Sequence, residues 1–262
     1  MSALDRAPVL TILMPVRNEG INLRIMLKML RAIVEVPYEV LIVHDTLDDD
    51  SLDVLSQLPP DQSVRAVHNT LGRGVVNALR AGVAAAAGQY VLIFAADEVG
   101  PVLAIEDMLA LMDSGCEFVS CTRYAHGGRR LGGTFVGGIL SRSANRLFHL
   151  LAGSVLTDCT TGIKMFRPEH FERMQLDARP VGWAVAFEMS IKAQMLGFAL
   201  GEVPIVSIDR LYGGKSTFRL RPAVAAYLRW FLWGLMHLRR AHVAGRPVRV
   251  RIPASTVLGG KA

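Results

Sequence analysis

The stretch "GRGVVNALRAGVAAAAGQYVLIFAADEVGP", residues 72–101, carries the fold in miniature. A glycine-bounded opening leads into an alanine-rich segment of helical composition, predicted as a helix over 72–88. The next segment, 89–98, is predicted as a strand. It is apolar at consecutive positions from Tyr90 to Phe94, so it would be covered on both faces, as strands of a parallel sheet are. It then runs into two carboxylates, Asp97 and Glu98.

The same alternation extends in both directions. "VLTILMPV" (9–16) reads as a strand, "NEGINLRIMLKMLRAI" (18–33) as a helix with Ile21, Leu23, Met26, Leu27 and Leu30 at helical spacing, and "YEVLIVHD" (38–45) as a strand. A short helix (48–58), a strand (63–69), a helix (104–115) and a strand (117–124) continue the pattern. Beyond Tyr124, "AHGGRRLGGTFVGG" is glycine-rich and basic and reads as a flexible loop. "ILSRSANRLFHLLAG" reads as an amphipathic helix. "TDCTTGIKMFRPEHF" reads as a polar loop holding Asp158 and then a short strand, and "WAVAFEMSIKAQMLG" as a helix carrying Glu188. "EVPIVSIDRLYGGKSTFRLRP" reads as a strand followed by a loop with Arg210, Lys215 and Arg219. Strands alternating with helices define an α/β fold with a mainly parallel sheet covered on both faces, whose ligands bind beyond the carboxyl ends of the strands. Three such ends are polar: Arg17-Asn18-Glu19, His44-Asp45 and Asp97-Glu98. They are expected to meet in one crevice.

The 262 residues, 51% hydrophobic, suffice for one α/β domain, and the formal net charge of +6 suits an anionic partner. No nucleic-acid-binding module is present, so a nucleic acid is not expected. No G-x-G-x-x-G follows the first strand and no Walker loop occurs, which removes the dinucleotide and P-loop readings. Cys116, Cys121 and Cys159 lack metal-ligand spacing and read as buried thiols in a reducing compartment. No signal peptide is visible, and no run reaches the roughly 20 apolar residues of a membrane span.

Taken together, "LTILMPVRNEGINL", "EVLIVHD", residues 72–101, "CTRYAHGG", "LSRSANRL", "DCTTGIKMFRPE" and "AFEMSIKAQMLGFALGEVPI" resemble, in that order, family-2 glycosyltransferases of the GT-A fold. Within that family they are most similar to the dolichol- or polyprenol-phosphate hexose synthases. The resemblance implies inverting transfer of a hexose from a nucleotide-sugar, of GDP-mannose or UDP-glucose type, to a polyprenyl phosphate. Pro15, Arg17 and Glu19 match the first-strand nucleotide motif, Asp45 the second-strand carboxylate near base and ribose, and Asp97 the last aspartate of the D-x-D metal motif. Asp158 and Thr161 match a loop beside sugar and acceptor. A leaving diphosphate needs its charge neutralised by a divalent metal or by basic side chains. Mg2+ or Mn2+ on Asp97 and Glu98 is one route. Arg73, Arg123, Arg129, Arg130, Arg142, Arg210 and Lys215 are the cations that could take the donor or acceptor phosphates. Asp97, Asp158 and Arg123 are the candidate catalytic residues.

The chain departs from that family where metal chemistry is done. D-A-D-x-Q has become Ala95-Ala96-Asp97-Glu98-Val99, the second-strand acidic pair has become His44-Asp45, and a first-strand aromatic has become Arg17. Two further readings therefore stay open. One is a family-2 transferase with a soluble or saccharide acceptor, using Asp158 or Glu188 as base. The other is a non-catalytic member that binds nucleotide-sugar or lipid. Residues 1–220 are expected to form the transferase domain. Residues 221–262 are expected to form an amphipathic helix and basic tail, with Val224, Tyr227, Leu228, Phe231, Leu235 and Leu238 on one face, Trp230 and Trp233 flanking it, and Arg229, Arg239 and Arg240 supplying charge. That composition suits a helix lying on the cytoplasmic face of a membrane. Packing on the domain, or in a homo-oligomer, is the alternative.

Overall fold

Strand β1, Leu10–Pro15, lies inside an eight-stranded sheet. The computed structural model describes residues 7–58, 63–132, 135–208, 220–239 and 247–253. After β1 come α1 (Gly20–Ile33), β2 (Tyr38–His44), α2 (Ser51–Ser56), β3 (Val64–His68), α3 (Val75–Ala85) and β4 (Tyr90–Ile93). A 3-10 turn (Gly100–Ala104), α4 (Ile105–Asp113), β5 (Phe118–Thr122), β6 (Arg129–Leu131) and α5 (Phe135–Ala152) follow. The chain continues through β7 (Lys164–Phe166), α6 (Pro168–Arg173), α7 (Ala184–Met195), β8 (Leu200–Pro204), β9 (Val206–Ile208), α8 (Leu220–Leu238) and β10 (Arg249–Val250). The sheet order is β10-β8-β5-β7-β4-β1-β2-β3, parallel except for β7, which pairs antiparallel with both β4 and β5.

The period of two along each strand divides the apolar residues between the two faces. Leu10, Ile12 and Met14 of β1 face α1 and α4, meeting Leu23, Met26, Leu30 and Met108. Leu13, with Leu41 and Val43 of β2 and Val91 and Ile93 of β4, faces the other way, toward α3, α5 and α7. Each fully buried aliphatic side chain stabilises by about 1.5–3 kcal/mol relative to exposure. Both layers of helices are thus held to the sheet, and the strand ends are left clear for a site.

Four expectations need correction. The fourth strand stops at Ile93 rather than Glu98, so Asp97 lies in a turn beyond it and Glu98 just after that turn. The glycine-rich basic segment is not simply a loop: Arg129–Leu131 forms β6, paired with β9. The segment "EVPIVSI" is two strands, because the chain leaves the main sheet at Pro204 and joins β6 at Val206; proline supplies no amide for the ladder. In α8, Trp230 and Leu238 are buried with the second core cluster, and Tyr227 and Phe231 pack against it. Val224, Leu228, Leu232 and Met236 face out. Four of the six residues of the expected face, Tyr227, Phe231, Leu235 and Leu238, therefore pack on the domain, as the alternative reading has it. Gly234 permits the close approach, since a Cβ there would stand 2.6 Å from Phe148. Among the described residues no helix is long and apolar enough to cross a membrane.

Candidate functional site

Two groups of polar residues sit at the carboxyl ends of the strands. The first lies beyond β1, β2 and β3. There Arg17, Asn18, Asp45, Thr46, Asp48, Asp49 and Arg73 line a cavity of about 200 Å3. The predicted residues Arg17, Asp45 and Arg73 are thus brought together from three separate segments. Asp45 accepts the Gly74 amide at 3.0 Å and the Asn69 side-chain amide at 2.7 Å, which ties the β2 end to the loop before α3. Gly74 has φ of +130°, and a Cβ on it would lie 2.3 Å from the Pro180 carbonyl. Only glycine fits both the conformation and the space. Buried Asp49 accepts the backbone amides of Asn18 (3.1 Å) and Ser51 (3.0 Å), joining the β1 loop to α2. Pro15 ends β1 beside this cavity, and Glu19 precedes α1, with its carboxylate accepting from Asn22. His44 does not line this cavity: it is buried, bonded to the Thr46 carbonyl and stacked on His68 at 5.1 Å.

The second group lies beyond β5. Arg123 grips Asp158 with two parallel bonds, Nε to Oδ2 at 2.7 Å and Nη2 to Oδ1 at 3.0 Å, and its backbone amide adds a third at 3.2 Å. Asp158 is fully buried. Burial pushes its carboxyl up, but the Arg123 charge, the bonds from Arg123 and Thr160, and Lys164 outweigh this and hold it below the usual carboxylate value. Burial works against the charge on Arg123, and Asp158 overcomes that too, so the guanidinium pKa is raised. Thr160 accepts from Arg123 Nη2 at 2.9 Å and from Asn145 at 2.8 Å, which ties the pair to α5. The Tyr124 ring lies beside two cations, Arg123 at 5.1 Å and Arg142 at 6.0 Å, and its hydroxyl donates to Ser141 at 2.8 Å. Thr161 is buried, and its hydroxyl accepts the Ile163 amide within the loop.

The half-buried Asp97 and Glu98 lie beyond the β4 end, and Glu98 is close enough to Arg123 for its charge to be felt there. Among the described residues, no group of three or more His, Cys, Asp or Glu side chains is arranged to hold a metal. Two carboxylates do match what Mg2+ or Mn2+ takes from a protein when a diphosphate and water supply the remaining oxygens. Arg210 and Lys215 lie outside the described residues. Glu188, the other proposed base, is fully buried in α7. It accepts the amides of Asp177 (2.6 Å) and Ala178 (2.8 Å) and pairs with Lys192 at 2.7 Å. It anchors a loop and has no position in the crevice.

Several residues around the second group escaped the sequence reading. Glu202 of β8 accepts the Thr157 and Asp158 amides, and fully buried Lys164 of β7 donates to Ser120 at 2.9 Å. Burial lowers the Lys164 ammonium to about 8 and raises the Glu202 carboxyl to about 7. A signal was available: a glutamate in "LGEVP" and a lysine in "GIKMF" interrupt apolar strands, where charges are almost never buried without partners. Tyr227 of α8 lies near enough to Arg123 and Asp158 to feel both charges, and burial pushes its phenol up to about 12. The C-terminal helix therefore adjoins the site.

This mostly parallel sheet covered by helices, with carboxylates and arginines at its strand ends, is a GT-A-like fold, as its family match and its structural neighbours show. The glycosyl transferase family 2 model matches residues 11–174, and the chain belongs to that family. It is 30% identical over 178 residues to glycosyltransferase AglD of Haloferax volcanii, covering 64% of this chain and 27% of that protein. It is 22% identical over 228 residues to a dolichol-phosphate mannosyltransferase of Pyrococcus furiosus, covering 84% and 64%. The chain thus spans between about a quarter and just under two thirds of these relatives. Among solved structures it is similar in fold to glucosyl-3-phosphoglycerate synthase of Mycobacterium tuberculosis, captured with Mn2+, UDP and phosphoglyceric acid. The TM-score is 0.65 at 16% identity, covering 87% of this chain and 78% of that one.

Proposed function

We propose that this family-2 glycosyltransferase moves a hexose from a nucleotide-sugar, of GDP-mannose or UDP-glucose type, to a polyprenyl phosphate, working at the cytoplasmic face of a membrane. One observation carries the reading: both carboxylates considered as general bases, Asp158 and Glu188, are fully buried and committed to cations and amides. A sugar hydroxyl needs a base to become a good nucleophile. A phosphate oxygen is already anionic, since the second pKa of a phosphate is near ~6. It needs cations to bring it close, and the presence of Arg123 and Arg142 beside the Tyr124 ring supports the reading.

The acceptor oxygen attacks the anomeric carbon. The bond from that carbon to the diphosphate oxygen breaks with inversion, and the nucleoside diphosphate leaves with the electron pair. Arg17, Asp45 and Arg73 hold the nucleotide end of the donor, with Pro15 and Glu19 shaping the β1 side. Asp97 and Glu98 would hold a divalent cation, which when bound neutralises charge on the diphosphate. Asp158 does not touch substrate in this scheme; it keeps Arg123 charged and aimed. The apolar outer sides of α5 (Ile139, Leu140, Leu147, Leu150) and α8 (Val224, Leu228, Leu232, Met236) support seating at a bilayer, where the acceptor resides.

The test is to incubate the protein with a panel of nucleotide-sugars and three acceptors: a short polyprenyl phosphate, a small soluble phosphomonoester and a saccharide. Each is run with and without EDTA and read by mass spectrometry. The expected result is one glycosylated polyprenyl phosphate and only partial loss on chelation, because Ala95 and Val99 replace two residues of the usual motif. Transfer to a saccharide hydroxyl, or to the soluble phosphate alone, would overturn the acceptor assignment. Nucleotide binding without any transfer would favour the non-catalytic reading.

A further inference from the structure

Glu202 is 1% exposed inside the main sheet, yet it collects three donors from the site loop. Its Oε1 accepts the backbone amides of Thr157 at 2.8 Å and Asp158 at 3.2 Å. The Thr157 hydroxyl stands 3.2 and 3.0 Å from its two oxygens. That hydroxyl also meets the Thr122 hydroxyl at 2.7 Å, and Thr122 in turn accepts the Tyr124 amide at 3.3 Å. One carboxylate therefore reaches both partners of the ion pair. It holds Asp158 through that residue's own amide, and it holds the strand end bearing Arg123 through Thr157 and Thr122.

We propose that Glu202 is the positioning residue of this site: as a carboxylate it locks the 157–158 backbone against the end of β5 and thereby sets the aim of the Arg123 guanidinium. The inference rests on the transferase reading for its consequence, and on geometry alone for the lock. Ionised, Glu202 is purely an acceptor, which suits three converging donors. Protonated, one oxygen becomes a donor while the other still accepts, so the amides exchange a charged acceptor for a weaker neutral one.

The charged and titratable groups facing it come from every side. Asp158 of the loop opposes its ionisation, Lys164 of β7 favours it, and the thiols of Cys121 on β5 and Cys159 are held neutral by burial. The β10 arginines turn away, Arg249 to Ser114 and Arg251 to Asp107. Burial raises the Glu202 carboxyl to about 7, so the acceptor form is gained as pH rises through that value. Stability runs the other way. A carboxyl whose folded pKa is raised contributes stability that is full below its unfolded value and lost as pH rises through the folded one. Glu202 therefore trades stability for a set geometry in the neutral range.

The experiment is amide hydrogen exchange on the full chain, corrected for intrinsic rates, on both sides of about pH 7. Protection of the Thr157 and Asp158 amides should rise about tenfold on the alkaline side, the worth of hydrogen bonds to a charged acceptor. In Glu202→Gln, which keeps the shape and one acceptor oxygen, protection should stay at the acid-side level at every pH. With a working acceptor, the acid limb of kcat should flatten in the same variant while the donor KM stays within about twofold. A merely structural role would shift the melting temperature and leave that limb in place. Equal protection on both sides in the wild type, or in wild type and Glu202→Gln alike, overturns the proposal. Should Glu202→Gln fold poorly, the wild-type exchange profile decides alone. Exchange that follows Glu202 in a protein transferring nothing to any phosphate supports the lock and overturns the transferase reading only.

Discussion

The two groups at the strand ends are built on opposite principles. Beyond β1–β3, Arg17 and Arg73 are exposed, and the carboxylates hold the loops through neutral amides, Asp45 those of Gly74 and Asn69 and Asp49 those of Asn18 and Ser51. Beyond β5, Asp158 and Glu202 are buried, and both oxygens of each carboxylate are engaged. The first group is inexpensive to alter, because a surface side chain away from special features changes stability by only about ±0.5 kcal/mol. The second is costly, because removing one partner of a buried pair leaves the other charge stranded, at about 3–5 kcal/mol. One of the substitutions that set this chain apart from its family's pattern, the exposed Arg17, falls where change costs least. The Asp158–Arg123 element keeps the pattern.

The largest effect expected is that of Asp158→Ala. Urea denaturation should show a loss of about 3–5 kcal/mol, and transfer should vanish with it. A cost below about 1 kcal/mol would mean that Arg123 finds another partner, and the contrast between the groups would collapse. A pH scan adds a check on sign. The Asp158 carboxyl is held below its ordinary value of 3.8, so its stabilisation is full above that value and lost as pH falls through the lower folded one.

Arg73→Ala tests the open group. Nucleotide-sugar affinity by calorimetry should fall roughly tenfold, the worth of one charge-assisted contact, while stability stays within about 0.5 kcal/mol. An equally large loss of stability would show that the open group is as over-determined as the closed one.

The smallest effect on folding belongs to the outer face of α8. Leu228→Asp with Leu232→Asp should leave the melting temperature nearly unchanged and abolish sedimentation with anionic vesicles. Gly234→Leu, on the inner face of the same helix, should cost about 1–3 kcal/mol, because its side chain would enter the space of Phe148. Truncation after Leu220 would be the poorer test. It would uncover Phe148 and Ile191 and remove Tyr227 from beside Arg123 and Asp158, so loss of function would not isolate the membrane. Vesicle binding that survives the double aspartate change would move the docking surface elsewhere.

Most of the sheet was legible because apolar runs such as "VLTILMPV" and "YVLIF", short and bounded by turn or helix signals, read as strands buried on both faces, and the glycines and helices between them set the crossovers. Boundaries were less legible where polarity and backbone disagreed. "FAADE" continues the strand in composition, but the ladder ends at Ile93. "GGRRLGG" reads as loop, yet it forms β6 because β9 is there to pair with it.

In the site, strand ends nominated Arg17 and Asp45, since ligands gather where parallel strands end. Asp158 followed from the resemblance to family 2, and Arg73 and Arg123 from the need for cations near a diphosphate or phosphate. That Arg17, Asp45 and Arg73 line one cavity, and that Arg123 and Asp158 form a bidentate pair, depended on packing between segments far apart in the chain. The roles of Glu188 and Glu202 could not be read locally at all. Both are glutamates in apolar surroundings, and only their partners differ. One meets the amides of 177–178 and Lys192 away from the crevice; the other meets the amides of 157–158 beneath Arg123. Hydrophobic period and strand-end chemistry are local properties, so the sequence by itself determined the fold class and nominated strand ends where a site could lie. The protonation, aim and partners of a buried charge depend on what surrounds it in three dimensions, and only the tertiary structure decided those.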